Sequence, residues 1–166
     1  MLPEKTLPVP SLSVALEKLP AFPLTEWEYI RVKDLRDKKE RRPCCRRQTF
    51  RFGHILEHSD WPEPIRVGCV CAGRLTGDEE APVRMQKVEE RISKITENFF
   101  SAKWQDAGLG GIVAKVGRFK IQIMQCNGVF KFRLNDGPFC SDPSGNTHAV
   151  KMNILEELHR HIRSGA

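Results

Sequence analysis

No apolar run in this 166-residue chain approaches the ~18 residues that a membrane-crossing helix requires, because charged residues interrupt each stretch that comes near. The opening residues MLPEKTLPVP have neither the basic start nor the unbroken apolar core of a secretory signal. A membrane span and conventional export are therefore not expected, and the cytoplasm is the expected compartment. Catalytic signatures are missing too: there is no nucleophile elbow, phosphate-cradling glycine loop, His-Glu-x-x-His or paired-carboxylate pattern. Thiol or hydrolytic chemistry would have to come from Cys71 with His54 or His58 as base, joined by a pocket and an oxyanion site. A non-enzymatic protein is the expectation.

What is present is ordinary globular composition, 40% hydrophobic and 29% charged, with room for one domain or a domain plus an appendage. Lys and Arg number 27 against 21 Asp and Glu, a net charge of +6. Arg31 to Arg51 alone holds ten Lys/Arg against three acids, a net of +7, which leaves the other 145 residues at −1. Such a run supplies the electrostatic footprint for phosphate, and Arg36, Lys38, Lys39, Arg41, Arg42, Arg46, Arg47 and Arg51 are the candidate contacts. Trp27, Tyr29, Phe50, Phe52 and Trp61 lie around it; exposed they would stack on bases, buried they are core.

Of six cysteines, Cys44, Cys45, Cys69 and Cys71 share one segment with His54 and His58, while Cys126 and Cys140 stand apart. A reducing compartment favours thiols or thiolate ligands over bridges. Zinc takes four such ligands in a tetrahedron, and the candidate set is Cys45, His58, Cys69 and Cys71 as a structural site. Neither cysteine pair is a Cys-x-x-Cys knuckle. The competing reading makes Cys69 and Cys71 small buried residues on one strand face and the histidines ordinary hydrogen-bonded groups.

Phe50-Arg-Phe-Gly-His54, then His58, Pro62-Glu63 and Val67-Gly-Cys-Val-Cys-Ala72 resemble a family of short, largely uncharacterised bacterial proteins of zinc-finger-like character. The resemblance covers about residues 40–78. Aligned on His54, it places the second cysteine of the family's Cys-x-x-Cys pair at Cys45 and the first at Arg42. It implies a zinc-ribbon-like unit and no activity.

Prolines at 3, 8, 10, 20 and 23 mark residues 1–24 as an arm, with a short helix at 11–19. Residues 25–78 read as a basic Cys/His β unit. Its strands run near 27–31, over Thr49–Leu56 with Gly53 as a bulge or close approach, and over Ile65–Cys71; Ser59–Pro64 forms the intervening loop. Residues 79–166 read as helix, three-stranded antiparallel meander and helix. Met85, Val88, Ile92, Ile95 and Phe99 form one stripe on the first helix, which packs on the sheet or pairs across a homodimer through 82–100. The meander strands are Ile112–Val116, Phe119–Met124 and Val129–Leu134, turning at Gly117-Arg118 and Asn127-Gly128, with one apolar and one basic-polar face. The closing helix, about Thr147 to Arg163, turns Val150, Ile154, Leu155, Leu158 and Ile162 inward, and His159-Arg-His161 is read as its solvated end. The fold class is α+β.

Two functional readings follow. The first is a nucleic-acid-binding protein whose basic segment contacts the DNA or RNA phosphate backbone beside a zinc unit. The second is a protein-interaction module, an adaptor or inhibitor of the kind mobile elements encode, docking the same segment on an acidic protein surface.

Overall fold

The computed structural model describes residues 21–36, 40–41 and 49–165, with Glu40 and Arg41 described by their strand pairing alone. The arm up to residue 20 lies outside the described residues, as do Lys38, Lys39, Arg42, Cys44, Cys45, Arg46 and Arg47. The chain divides into two units, Met1–Glu90 and Arg91–Ala166. Both mix helix with antiparallel sheet, in keeping with an α+β class.

In the first unit, β1 (Glu28–Asp34), β4 (Phe52–His58) and β5 (Trp61–Val67) form a sheet in the order β1-β4-β5. A two-stranded ladder, β2 (Glu40–Arg41) with β3 (Thr49–Phe50), sets Glu40 opposite Phe50 and Arg41 opposite Thr49. The residues read as a loop at 59–64 are mostly strand. Pro62 and Pro64 sit on β5, which among the described residues pairs with β4 alone, so edge positions absorb their missing N–H groups. The expected strand Ile65–Cys71 stops at Val67. Extended Gly68 caps α1 (Cys69–Thr76), so both cysteines lie in the first turn of a helix. Gly53 is a close approach, not a bulge: a Cβ there would stand 2.5 Å from Arg66 Cδ.

Phe22, Trp27, Leu56, Ile65, Val67, Cys71, Ala72 and Leu75 make this unit's core, bringing α1 against one face of the sheet. Trp27 is 3% exposed; its indole N–H donates to the Pro23 carbonyl at 2.8 Å, and its ring meets Phe22 at 5.3 Å. Burying such a ring stabilises by roughly 1.5–3 kcal/mol.

Helix α2 (Glu80–Phe100) starts in the first unit and ends in the second. Asp78 caps it by accepting from the Glu80 and Ala81 amides, each at 2.9 Å, and Pro82 fits the donor-free first turn. The expected apolar stripe is buried only in its second half: Ile92, Ile95 and Phe99 are core, whereas Met85 is 42% exposed.

The second unit carries β6 (Gln105–Gly108), β7 (Gly111–Val116), β8 (Phe119–Cys126), β9 (Val129–Leu134) and β10 (Cys140–Asp142), then α3 (Thr147–Ser164). The meander is where alternation placed it, widened by β6 and β10 to the order β10-β9-β8-β7-β6. Asn127 and Gly128, at φ 52° and 78°, make the tight hairpin that needs two left-handed residues in succession. Ile121, Ile123, Phe132, Val150, Ile154, Leu155, Leu158 and Ile162 are all buried. Asn146 caps α3 through the Ala149 amide at 2.9 Å. His159 Nε2 lies 2.8 Å from the Thr96 hydroxyl, and the His161 ring stacks on Phe119, so the expected solvated end is partly engaged.

Candidate functional site

Alternation and register divide the first sheet into two faces. Tyr29, Val32, His54, Leu56, Ile65 and Val67 share the core side. On the other side Arg31 lies opposite Ile55, which lies opposite Arg66, and Lys33 lies opposite Gly53. A bulge at Ile30 keeps Tyr29 on the core side while turning Arg31 outward. Three cations thus share the outer face of this sheet, two of them from the basic segment itself and Arg66 from outside it. Arg66 is the residue that sequence reasoning missed. It stands fifteen positions beyond Arg51, and only the β4–β5 register aligns it with Arg31. Gly53 leaves room for its stem, since a side chain there would meet Arg66 Cγ at 2.7 Å.

Two of the eight candidate phosphate contacts have described side chains. Arg51 is engaged: its Nε and Nη2 donate to the two Asp34 oxygens, both at 2.9 Å, a bidentate geometry that neutralises it locally. Its guanidinium also lies 5.2 Å from the Phe52 ring centroid. Arg36 is exposed at the end of β1, and its amide donates to Asp34 Oδ1 at 2.8 Å. Asp34 therefore shapes the chain as it leaves the sheet. Lys38, Lys39, Arg42, Arg46 and Arg47, and the side chain of Arg41, fall outside the described residues. Among the surrounding aromatics, Trp27, Phe50 and Phe52 are buried and unavailable for stacking; Tyr29 and Trp61 are half-buried.

Beneath the sheet lies a polar cluster. His54 is 0% exposed, with Nδ1 at 3.2 Å from the Tyr29 hydroxyl and Nε2 at 3.3 Å from Gln86 Oε1. The Gln86 amide nitrogen donates to Glu90 at 2.8 Å, which fixes the carboxamide so that its oxygen faces the histidine. An amide oxygen only accepts, so Nε2 carries the proton and Nδ1 accepts from Tyr29. Burial pulls the His54 pKa below its ordinary value, against the hydrogen bond to Gln86, and holds the ring neutral. Burial, then the charges of Cys69 and Glu89, pushes the Tyr29 hydroxyl up to about 12.

The candidate metal ligands are dispersed in role. Cys45 lies outside the described residues. His58 Nδ1 accepts from the Asp60 amide at 3.0 Å, and its ring meets Trp27 at 5.3 Å. Cys71 is disulfide-bonded, whereas Cys69, Cys126 and Cys140 stand outside any bridge. The preference for thiols rested on compartment alone and carried no information about which sulfurs the fold brings together. A disulfide sulfur offers no thiolate, so Cys71 serves neither as ligand nor as nucleophile in this state. Among the described residues no group of three or more His, Cys, Asp or Glu is placed to hold a metal ion. No helix among them is long and apolar enough to cross a membrane.

Comparison with protein-family models, with curated proteins and with solved structures returned no match.

Proposed function

We propose that this chain is a non-enzymatic nucleic-acid-binding protein that contacts the phosphate backbone through its basic segment. One observation carries the reading: the +7 concentrated between Arg31 and Arg51, whose Arg31 and Lys33 stand with Arg66 on one face of the first sheet. Phosphate binding needs cations at modest geometric precision, and a cluster of this density supplies them. Arg51 plays a positioning part through Asp34, leaving Arg36, Lys38, Lys39, Arg41, Arg42, Arg46 and Arg47 as the contacts. A structural zinc on Cys45, His58, Cys69 and Cys71 belongs to the proposal only for the reduced chain, where Cys71 regains its thiolate.

The test is fluorescence anisotropy of labelled single- and double-stranded oligonucleotides against the full chain and its Arg41→Gln/Arg42→Gln/Arg46→Gln/Arg47→Gln variant. Loss of about 100-fold in affinity, with an unchanged melting temperature, is expected. Equal affinity in the two proteins would remove the basic segment from the interface. Wild-type protein that binds no oligonucleotide, yet is retained by an acidic protein surface through these arginines, would favour the adaptor reading.

A further inference from the structure

The −1 left outside the basic segment conceals a division of charge. Residues 91–166 hold eleven Lys/Arg against six Asp/Glu, a net of +5, while the rest of the first unit is −6. Much of the second unit's excess lies on one surface. Register places Lys115 directly opposite Lys120, Gln122 opposite Arg133, and Met124 opposite Lys131, all on the face away from Ile121, Ile123 and Phe132. Gln105, Val113, Gly111 and Ser141 complete these rows, and none of the positions holds a carboxylate.

Like charges directly opposite on neighbouring strands destabilise a sheet, and surface lysines that serve solubility alone are commonly matched by acids. A local rule broken without local compensation points to function. The face is also prepared. Arg133 donates from Nε to Gln122 at 2.9 Å and lies 4.7 Å from the Phe139 centroid, which holds its guanidinium through a single nitrogen. Beyond the β7–β8 turn, Arg118 joins Arg91 and Lys94 around a cavity of about 450 Å³ that no carboxylate lines. The apolar side chains on this face are half-buried Val113 and Met124, exposed Val129 and, against Arg133, Phe139. A phosphate chain needs the cations alone.

We propose that the outer face of β7, β8 and β9 is a second phosphate-contacting surface, on which a nucleic-acid strand lies across Lys115, Lys120, Lys131 and Arg133. The proposal rests on the nucleic-acid reading of the basic segment and adds a separate surface on the second unit.

The experiment compares the full chain with Lys115→Gln/Lys120→Gln/Lys131→Gln and with single Lys120→Glu, which gives Lys115 an opposite charge across the ladder. Binding to a labelled 20-nucleotide single strand is titrated at several salt concentrations, with melting temperatures measured in parallel. The triple variant is expected to bind at least tenfold more weakly, with a salt slope smaller by about 2. Lys120→Glu is expected to weaken binding while raising the melting temperature, an opposition that a merely structural lysine would not produce. Unchanged affinity and slope in a folded triple variant would overturn the proposal. If the four-arginine variant loses binding and the triple lysine variant keeps it, the basic segment stands and this surface falls. The reverse pattern leaves the sheet as the interface and removes the segment. Wild-type protein that does not bind overturns both.

Discussion

Acidification from pH 7.5 to 5.5 should destabilise the fold through its buried imidazoles. His54 is wholly buried, and His159 packs against Thr96 between α2 and α3. Both have folded-state pKa values below the ordinary 6.5, His54 through burial and His159 through burial and then the nearby Arg163 charge. Below pH 6.5 the unfolded chain takes up protons that the folded chain refuses. The stability that the neutral rings contribute is therefore complete above 6.5 and is lost as pH falls through the window towards the folded values. One proton gives a limiting slope of about 1.4 kcal/mol per pH unit, so His54 contributes at most about 1.4 kcal/mol between 6.5 and 5.5. His159 is nearer solvent, and screening trims its share. Asp78 and Asp142, both held below their ordinary 3.8, titrate outside this range. Urea denaturation at pH 7.5, 6.5 and 5.5 is the assay. The first interval should be nearly flat and the second should fall, with His54→Gln less stable at every pH but shallower across the second interval. A flat or rising profile, or a His54→Gln slope equal to wild type, would refute the reasoning.

Other consequences are separately measurable. Gly53→Val should destabilise by about 1–3 kcal/mol, read from urea midpoints, because the new side chain collides with the Arg66 stem. Asp142→Ala should cost about 1–3 kcal/mol, since the carboxylate accepts from the Ser144 amide and the Asn153 carboxamide at 2.8 and 2.9 Å; thermal melts check it. Reducing the Cys71 disulfide should lower stability by about 2–4 kcal/mol in metal-free buffer. Titrating zinc into that reduced protein should restore stability if the zinc set forms, and elemental analysis should then find about one metal per chain. Zinc without effect on the melt would remove the metal from the account.

Much of the second unit was legible because its signals are local and redundant. Strand alternation, Asn127-Gly128 and the α3 spacing each pick one conformation, and Val150, Ile154, Leu155, Leu158 and Ile162 are core as read. β6 and β10 escaped because short strands of Gln105–Gly108 and Cys140–Asp142 carry no apolar period. The first unit misled where tertiary placement overrides local preference. Pro62 and Pro64 argue for a loop until β5 proves to be an edge, and Val67-Gly-Cys-Val-Cys71 reads as strand unless Gly68 is recognised as a cap. The charge of the basic segment was visible in one dimension. The basic-polar face of the meander was read from alternation, whereas the Arg51–Asp34 clasp, the Arg31–Arg66 alignment and the Lys115–Lys120 opposition needed placements that residue spacing does not supply.

The most direct test of nucleic-acid binding is the salt dependence of wild-type affinity for a duplex of mixed sequence, between 50 and 200 mM. Engagement of about seven phosphates by the basic segment gives a straight log–log plot with a slope near −6. Absence of binding at the low-salt end, or an affinity indifferent to salt, would contradict the phosphate-contacting role assigned to this chain.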